Sequence, residues 1–104
     1  MRLNSSIKAY TMVATSVPEP LANKIRLRAD AEMNSMSDHI RIVTKKWIDA
    51  GSPIFEVEME RFRVPLGAYF EPADYNRLKD LSLRRKVSIA QAVRIAMVWY
   101  HGGK

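Results

Sequence analysis

The chain has 104 residues, 47% hydrophobic, no cysteine and a formal net charge of +6, with a sequence pI of about 9.9. That composition excludes a disordered chain, and the missing cysteine excludes disulfides, thiolate metal sites and thiol redox chemistry. No run reaches the roughly 18 apolar residues that span a bilayer, so one domain over residues 1–104 is expected, with one modest core.

Residues 1–7 lack the apolar core of a signal peptide and read as a short tail or as the cut edge of a larger protein. The first predicted element is a strand. Ile7, Ala9, Thr11, Val13, Thr15 and Val17 share one face, and Lys8, Tyr10, Met12, Ala14 and Ser16 the other. Pro18-Glu19-Pro20 then opens a helix over about 19–33, because proline loses nothing in a first turn and acid suits the positive helix end. Ala22, Ile25 and Ala29 form its inward stripe; Lys24, Arg26 and Arg28 point outward, where most such side chains are a solvated face. Ser35 is the expected N-cap of a second helix, with Asp38 three residues on as in a capping box. That helix buries Ile40, Val43 and Trp47 and stops near Gly51.

Residues 52–60 read as an extended connector in which Glu56, Glu58 and Glu60 alternate with apolar residues. Whether it adds an edge strand is open. The three acids mimic a metal cluster, but no histidine or aspartate joins them, and a solubilising edge is the better reading.

A second strand follows, with Phe62, Val64, Leu66, Ala68 and Phe70 on one face and Arg61, Arg63, Pro65, Gly67 and Tyr69 on the other. Glu71-Pro72-Ala73-Asp74 opens a helix over about 72–86, with Tyr75, Leu78 and Leu81 inward and Arg77, Lys79, Arg84, Arg85 and Lys86 outward. Ser88 caps the last helix, with Gln91 three residues on. Val93, Ala96, Met97 and Tyr100 are its buried positions, and Gly102-Gly103 its stop.

The second half repeats the first at a shift of 53. Ser35 falls on Ser88, Arg41 on Arg94, Ile25 on Leu78, Ile40 on Val93 and Val17 on Phe70. The shift is odd, and the apolar strand face changes from odd to even positions with it. Charge repeats as well: residues 1–51 carry eight basic and five acidic side chains and residues 52–104 nine and six, +3 in each half. One strand with two helices leaves a bare sheet edge, so each half needs the other. The expected fold is α+β and mostly helical. Two fused strand-helix-helix repeats, 8–51 and 61–103, form an intramolecular pseudodimer with a two-stranded antiparallel ribbon and four helices.

Phe70-Glu71-Pro72-Ala73-Asp74-Tyr75-Asn76-Arg77-Leu78 resembles the strand end and first-helix opening of the ribbon-helix-helix family, that of the Arc and Met repressors. Ser35-Met36-Ser37-Asp38-His39-Ile40-Arg41 resembles its second-helix opening, and Ser88-Ile89-Ala90-Gln91-Ala92-Val93-Arg94 is a looser copy. The likeness covers residues 8–48 and 61–100. The tandem layout resembles the C-terminal DNA-binding region of the second VirC protein family, accessory factors of T-DNA transfer on plant tumour-inducing plasmids.

The resemblance implies a monomeric bacterial cytoplasmic protein that binds double-stranded DNA and assists DNA-processing or relaxosome proteins. Its ribbon would enter the major groove. Tyr10, Met12, Ser16 and Tyr69 would then face the bases, with Lys8, Arg61 and Arg63 at the ribbon ends, Arg63 suiting a guanine. The helix starts at Ser35 and Ser88 would clamp phosphates, and Arg84, Arg85 and Lys86 would strengthen the second clamp, where the first half has Glu32, Met33 and Asn34. The outward face departs from the family pattern, since Met12, Ala14, Pro65 and Gly67 offer little to hydrogen-bond a base, so modest specificity is expected. Two rival readings are an autoregulatory repressor or antitoxin, and a protein-interaction module that keeps the fold. No cofactor, catalytic constellation or metal site is read: His39 and His101 lie far apart with no carboxylate or cysteine at ligand spacing. Trp47 and Trp99 read as packing residues.

Overall fold

A computed structural model describes residues 10–58 and 63–102. The expectations at Ile7, Lys8, Ala9, Glu60, Arg61, Phe62 and Gly103 lie outside the described residues. The element order is β1 (Thr11–Pro18), α1 (Glu19–Ala31), α2 (Met36–Asp49), β2 (Arg63–Phe70), α3 (Pro72–Arg85) and α4 (Ile89–His101). This is the mostly helical α+β arrangement expected, with one two-stranded sheet and four helices.

β1 and β2 are antiparallel, with Thr11 opposite Phe70, Ala14 opposite Gly67 and Pro18 opposite Arg63. β-branched residues at alternate positions suit a half-buried pleated surface, and the alternation sets the burial. Val13, Thr15 and Val17 are buried on β1, and Leu66, Ala68 and Phe70 on β2. The intervening side chains face away from the helices.

The two halves start their elements in step. Glu19 and Pro72 open the first helices, and Met36 and Ile89 the second, each pair 53 residues apart. The breaks between helices also match: Met33 and Lys86, again repeat mates, have φ of 58° and 57°. A left-handed residue turns the chain sharply after a helix, and neither position is glycine.

The repeat mates Val17 and Phe70, Ile25 and Leu78, and Ile40 and Val93 are each at most 1% exposed and belong to one continuous cluster. Trp47 is fully buried, and its indole Nε1 donates to Pro53 O at 2.9 Å, which ties the start of the connector to α2. Burying an aliphatic or aromatic side chain of this size contributes about 1.5–3 kcal/mol, so the core formed between the halves dominates the fold. Residues 52–58 form no strand; Ile54 and Val57 pack on the core while Glu56 and Glu58 stay exposed. No helix among the described residues is long and apolar enough to cross a membrane.

A candidate nucleic-acid interface

The outward face of the ribbon carries Met12, Ala14 and Ser16 from β1 against Tyr69, Gly67 and Pro65 from β2. Met12 and Tyr69, directly opposite one another, are 51% and 50% exposed, and Tyr10, just before β1, is 49% exposed. These are large apolar surfaces to leave in water.

Each end of the ribbon is tied to the start of one second helix. At one end, Tyr69 N donates to Ser37 Oγ at 3.0 Å, in the first turn of α2. At the other, Thr15 Oγ1 donates to Ala90 O at 2.7 Å, in the first turn of α4. Both helices are capped as expected. Ser35 Oγ accepts from Asp38 N and Ser88 Oγ from Gln91 N, both at 3.0 Å. Only the second copy completes the capping box, with Gln91 Oε1 accepting from Ser88 N at 2.9 Å. In the first, the Asp38 carboxylate turns to Arg41 at 3.0 Å instead. A cap of this kind satisfies the third-position N–H and leaves the first two of each helix directed outward, at the positive end of the dipole. The arrangement can hold an anionic oxygen beside each end of the ribbon.

Arg94, the repeat mate of Arg41, is the most closely held cation of this surface, a role that its place in the repeat does not reveal. Its Nε donates to Ser16 O at 2.7 Å, and an Nη lies 3.5 Å from Ser16 Oγ. Burial first, and then the nearby Arg63 charge, lower its pKa. Neither Arg94 nor Arg63 has a carboxylate within ion-pair distance among the described residues. Two like charges share this end of the ribbon. Arg41, its repeat mate, is neutralised by Asp38.

The basic run before α4 is mixed. Arg84 pairs with Asp80 at 3.1 Å, whereas Arg85 and Lys86 are exposed with no such pair among the described residues. On the other helices Arg77 pairs with Asp49 at 2.9 Å and Arg28 with Glu32 at 3.6 Å, as solvated faces do.

The histidines that the sequence keeps apart are brought together. His39 Nε2 lies 3.0 Å from His101 Nε2, and His39 Nδ1 lies 3.8 Å from Glu32 Oε1. His39 is 1% exposed, and Tyr100 meets its ring edge-on at a centroid distance of 5.8 Å. Placing the His39 proton on Nδ1, toward Glu32, makes its Nε2 the acceptor and His101 Nε2–H the donor. Burial is the chief cause lowering both pKa values, and His101 falls to about 4. Arg28, Lys24 and Lys46 add positive charge nearby, which works against a cation. No group of three or more His, Cys, Asp or Glu that could hold a metal occurs among the described residues.

The fold is thus compatible with a DNA-binding module of the ribbon-helix-helix kind. Comparison of the chain with protein-family models, with curated proteins and with solved structures finds no match.

Proposed function

We propose that this chain binds double-stranded DNA, laying its ribbon in the major groove and setting the starts of α2 and α4 against phosphates on either side. The observation that carries this reading is the joint placement of three things. A two-stranded ribbon of groove width presents an open face, each of its ends is fastened to a helix N-terminus, and Arg63 and Arg94 lie at one end with no acidic partner among the described residues. A B-form major groove is about 12 Å wide and admits such a ribbon, and phosphates are the natural counter-charge of a helix start.

The grip is unequal. The end near α4 has Arg63, Arg94, Arg85 and Lys86, and the end near α2 has Glu32 and Met33 at the positions of Arg85 and Lys86. Lys8 and Arg61 extend the ribbon's basic ends in sequence. Affinity comes mainly from phosphate neutralisation, with Ser16 and Tyr69 as the hydrogen-bonding readers and Arg63 as the guanine contact. On the likeness of its tandem layout to the second VirC protein family, the chain serves as a monomeric accessory factor in T-DNA or conjugative DNA processing.

Fluorescence anisotropy with a labelled random-sequence duplex of about 25 base pairs tests this. With roughly four to six phosphates contacted, log K falls against log[salt] with a slope of about −4 to −5. Absence of binding at low salt rejects the proposal. The half-exposed Met12 and the exposed Ala14 and Pro65 favour a second reading, an interaction module for another protein. Arg63→Glu separates the two: a DNA binder loses about tenfold in affinity for the duplex, and an interaction module has no duplex affinity to lose.

A further inference from the structure

The centre of the ribbon's outward face has a chemistry of its own. Around the Ala14–Gly67 pair the surface is built from the Met12 thioether, the Ala14 methyl and the Pro65 ring. The Met12 side chain lies over Gly67: a Cβ placed on that glycine would be 3.0 Å from Met12 Cε and 3.1 Å from its Sδ. Met12 therefore leans across the ribbon and presents its methyl group close to the middle. Among the described residues of this face, hydroxyls stand beside this centre on Ser16 and Tyr69 and at its margin on Tyr10, and the guanidinium groups without a carboxylate partner, Arg63 and Arg94, lie at one end.

An apolar strip between a cationic end and two helix N-termini demands a partner that is anionic at its margins and methyl-bearing at its middle. Contiguous exposed apolar surface marks a binding face, and the charges around this one select a polyanion. In the major groove one ordinary base feature matches a methyl surface, the C5 methyl of thymine. Polar base edges would instead lose water to groups that cannot replace it.

We propose that Met12 and Ala14, with Pro65 beside them, form a reader of pyrimidine C5 methyl groups at the centre of the bound DNA site. The proposal rests on the DNA-binding reading above and adds a preference to it. Specificity then arises from methyl burial at the centre, and hydrogen bonding is confined to the flanks. Leaving a polar face out of the ribbon's middle is what allows this preference.

The test compares the full chain on four duplexes of equal length: alternating A·T, the same with uracil for thymine, alternating G·C, and the same with 5-methylcytosine. Each methyl covered is expected to strengthen binding about fourfold, so a pair gives roughly tenfold or more. Thymine should therefore bind more tightly than uracil, and 5-methylcytosine more tightly than cytosine. The double variant Met12→Ser with Ala14→Ser, at exposed positions, should erase both differences while the salt slope stays unchanged. Equal affinity within each pair, with binding intact, overturns the methyl reader and leaves the DNA reading standing. A methyl preference that survives the double variant overturns the assignment to these residues. Failure to bind any of the four at low salt overturns the DNA reading and the reader with it.

Discussion

Ala14 faces Gly67 across the ribbon, and the two residues are 53 positions apart, the spacing of the sequence repeat. Only one residue of each strand can lie opposite its own repeat mate, and that pair marks the pseudo-two-fold axis. The other pairings obey the same axis: Met12 meets Tyr69, and their mates Pro65 and Ser16 meet each other. A homodimer of such units would have identical residues at these places. Within one chain the mates are free to differ, and here they do: Met12 stands where its mate is Pro65, and Ser16 where its mate is Tyr69.

The first prediction follows from the axis. Both strands of the ribbon come from one chain, so light scattering should return a single-chain mass, 11.9 kDa, over a wide concentration range. A stable dimer would mean that the ribbon forms between chains, through exchange of the halves.

The histidine pair sets a pH dependence whose sign is fixed. Burial lowers both imidazole pKa values, His101 from 6.5 to about 4. Between those limits the unfolded chain binds protons that the fold refuses, so stability is full above pH 6.5 and falls as the pH drops toward 4. Allowing for partial exposure of His101 and for coupling between the rings, the loss is about 1–2 kcal/mol. The repeat mates of His39 and His101 are Ala92 and Ile48, so His101→Ile copies the other half. Thermal melts at pH 7.5 and 4.5 should show a smaller acid loss in that variant than in the parent. An equal loss in both would exclude the pair as its source.

Arg94 is expected to act in both stability and binding. Its charged hydrogen bond to Ser16 O is part-buried, and such bonds contribute about 1.5–3 kcal/mol. Arg94→Met should therefore lower the melting temperature by roughly 5–15 °C. It should also weaken binding to a duplex. Arg41→Met removes a cation already paired with Asp38 and should leave affinity nearly unchanged.

Thr44 is 1% exposed, and its Oγ1 has no hydrogen-bond partner among the described residues. Its repeat mate is the buried Met97. A buried hydroxyl without a partner costs about 1–3 kcal/mol, so Thr44→Val, nearly the same shape, should raise stability. A melting temperature that falls on this change would show that the hydroxyl is satisfied in solution.

The fold could be read from the sequence because its punctuation is local. Pro18-Glu19-Pro20 and Glu71-Pro72 mark helix starts within three residues, Ser35 and Ser88 cap through neighbours three positions on, and strand alternation needs no distant information. The interface was only partly legible. The outward ribbon set follows from alternation, yet the Arg94–Ser16 bond spans 78 residues and the histidine contact 62. Such contacts depend on how the halves dock, which periodicity does not encode. A signal was present all the same: His39 falls at a position where the other half has Ala92, a core residue. A polar side chain in an apolar stripe asks for a partner, and the repeat alignment is what exposes it.

Mapping the interface residue by residue tests the central claim most directly. Titrating a duplex into isotope-labelled protein and following backbone amide shifts should move Met12, Ala14, Ser16, Arg63 and Tyr69, together with the first turns of α2 and α4. Shifts confined to the opposite side, at the C-terminal ends of α2 and α4, or no shifts at low salt, would contradict a ribbon seated in the major groove.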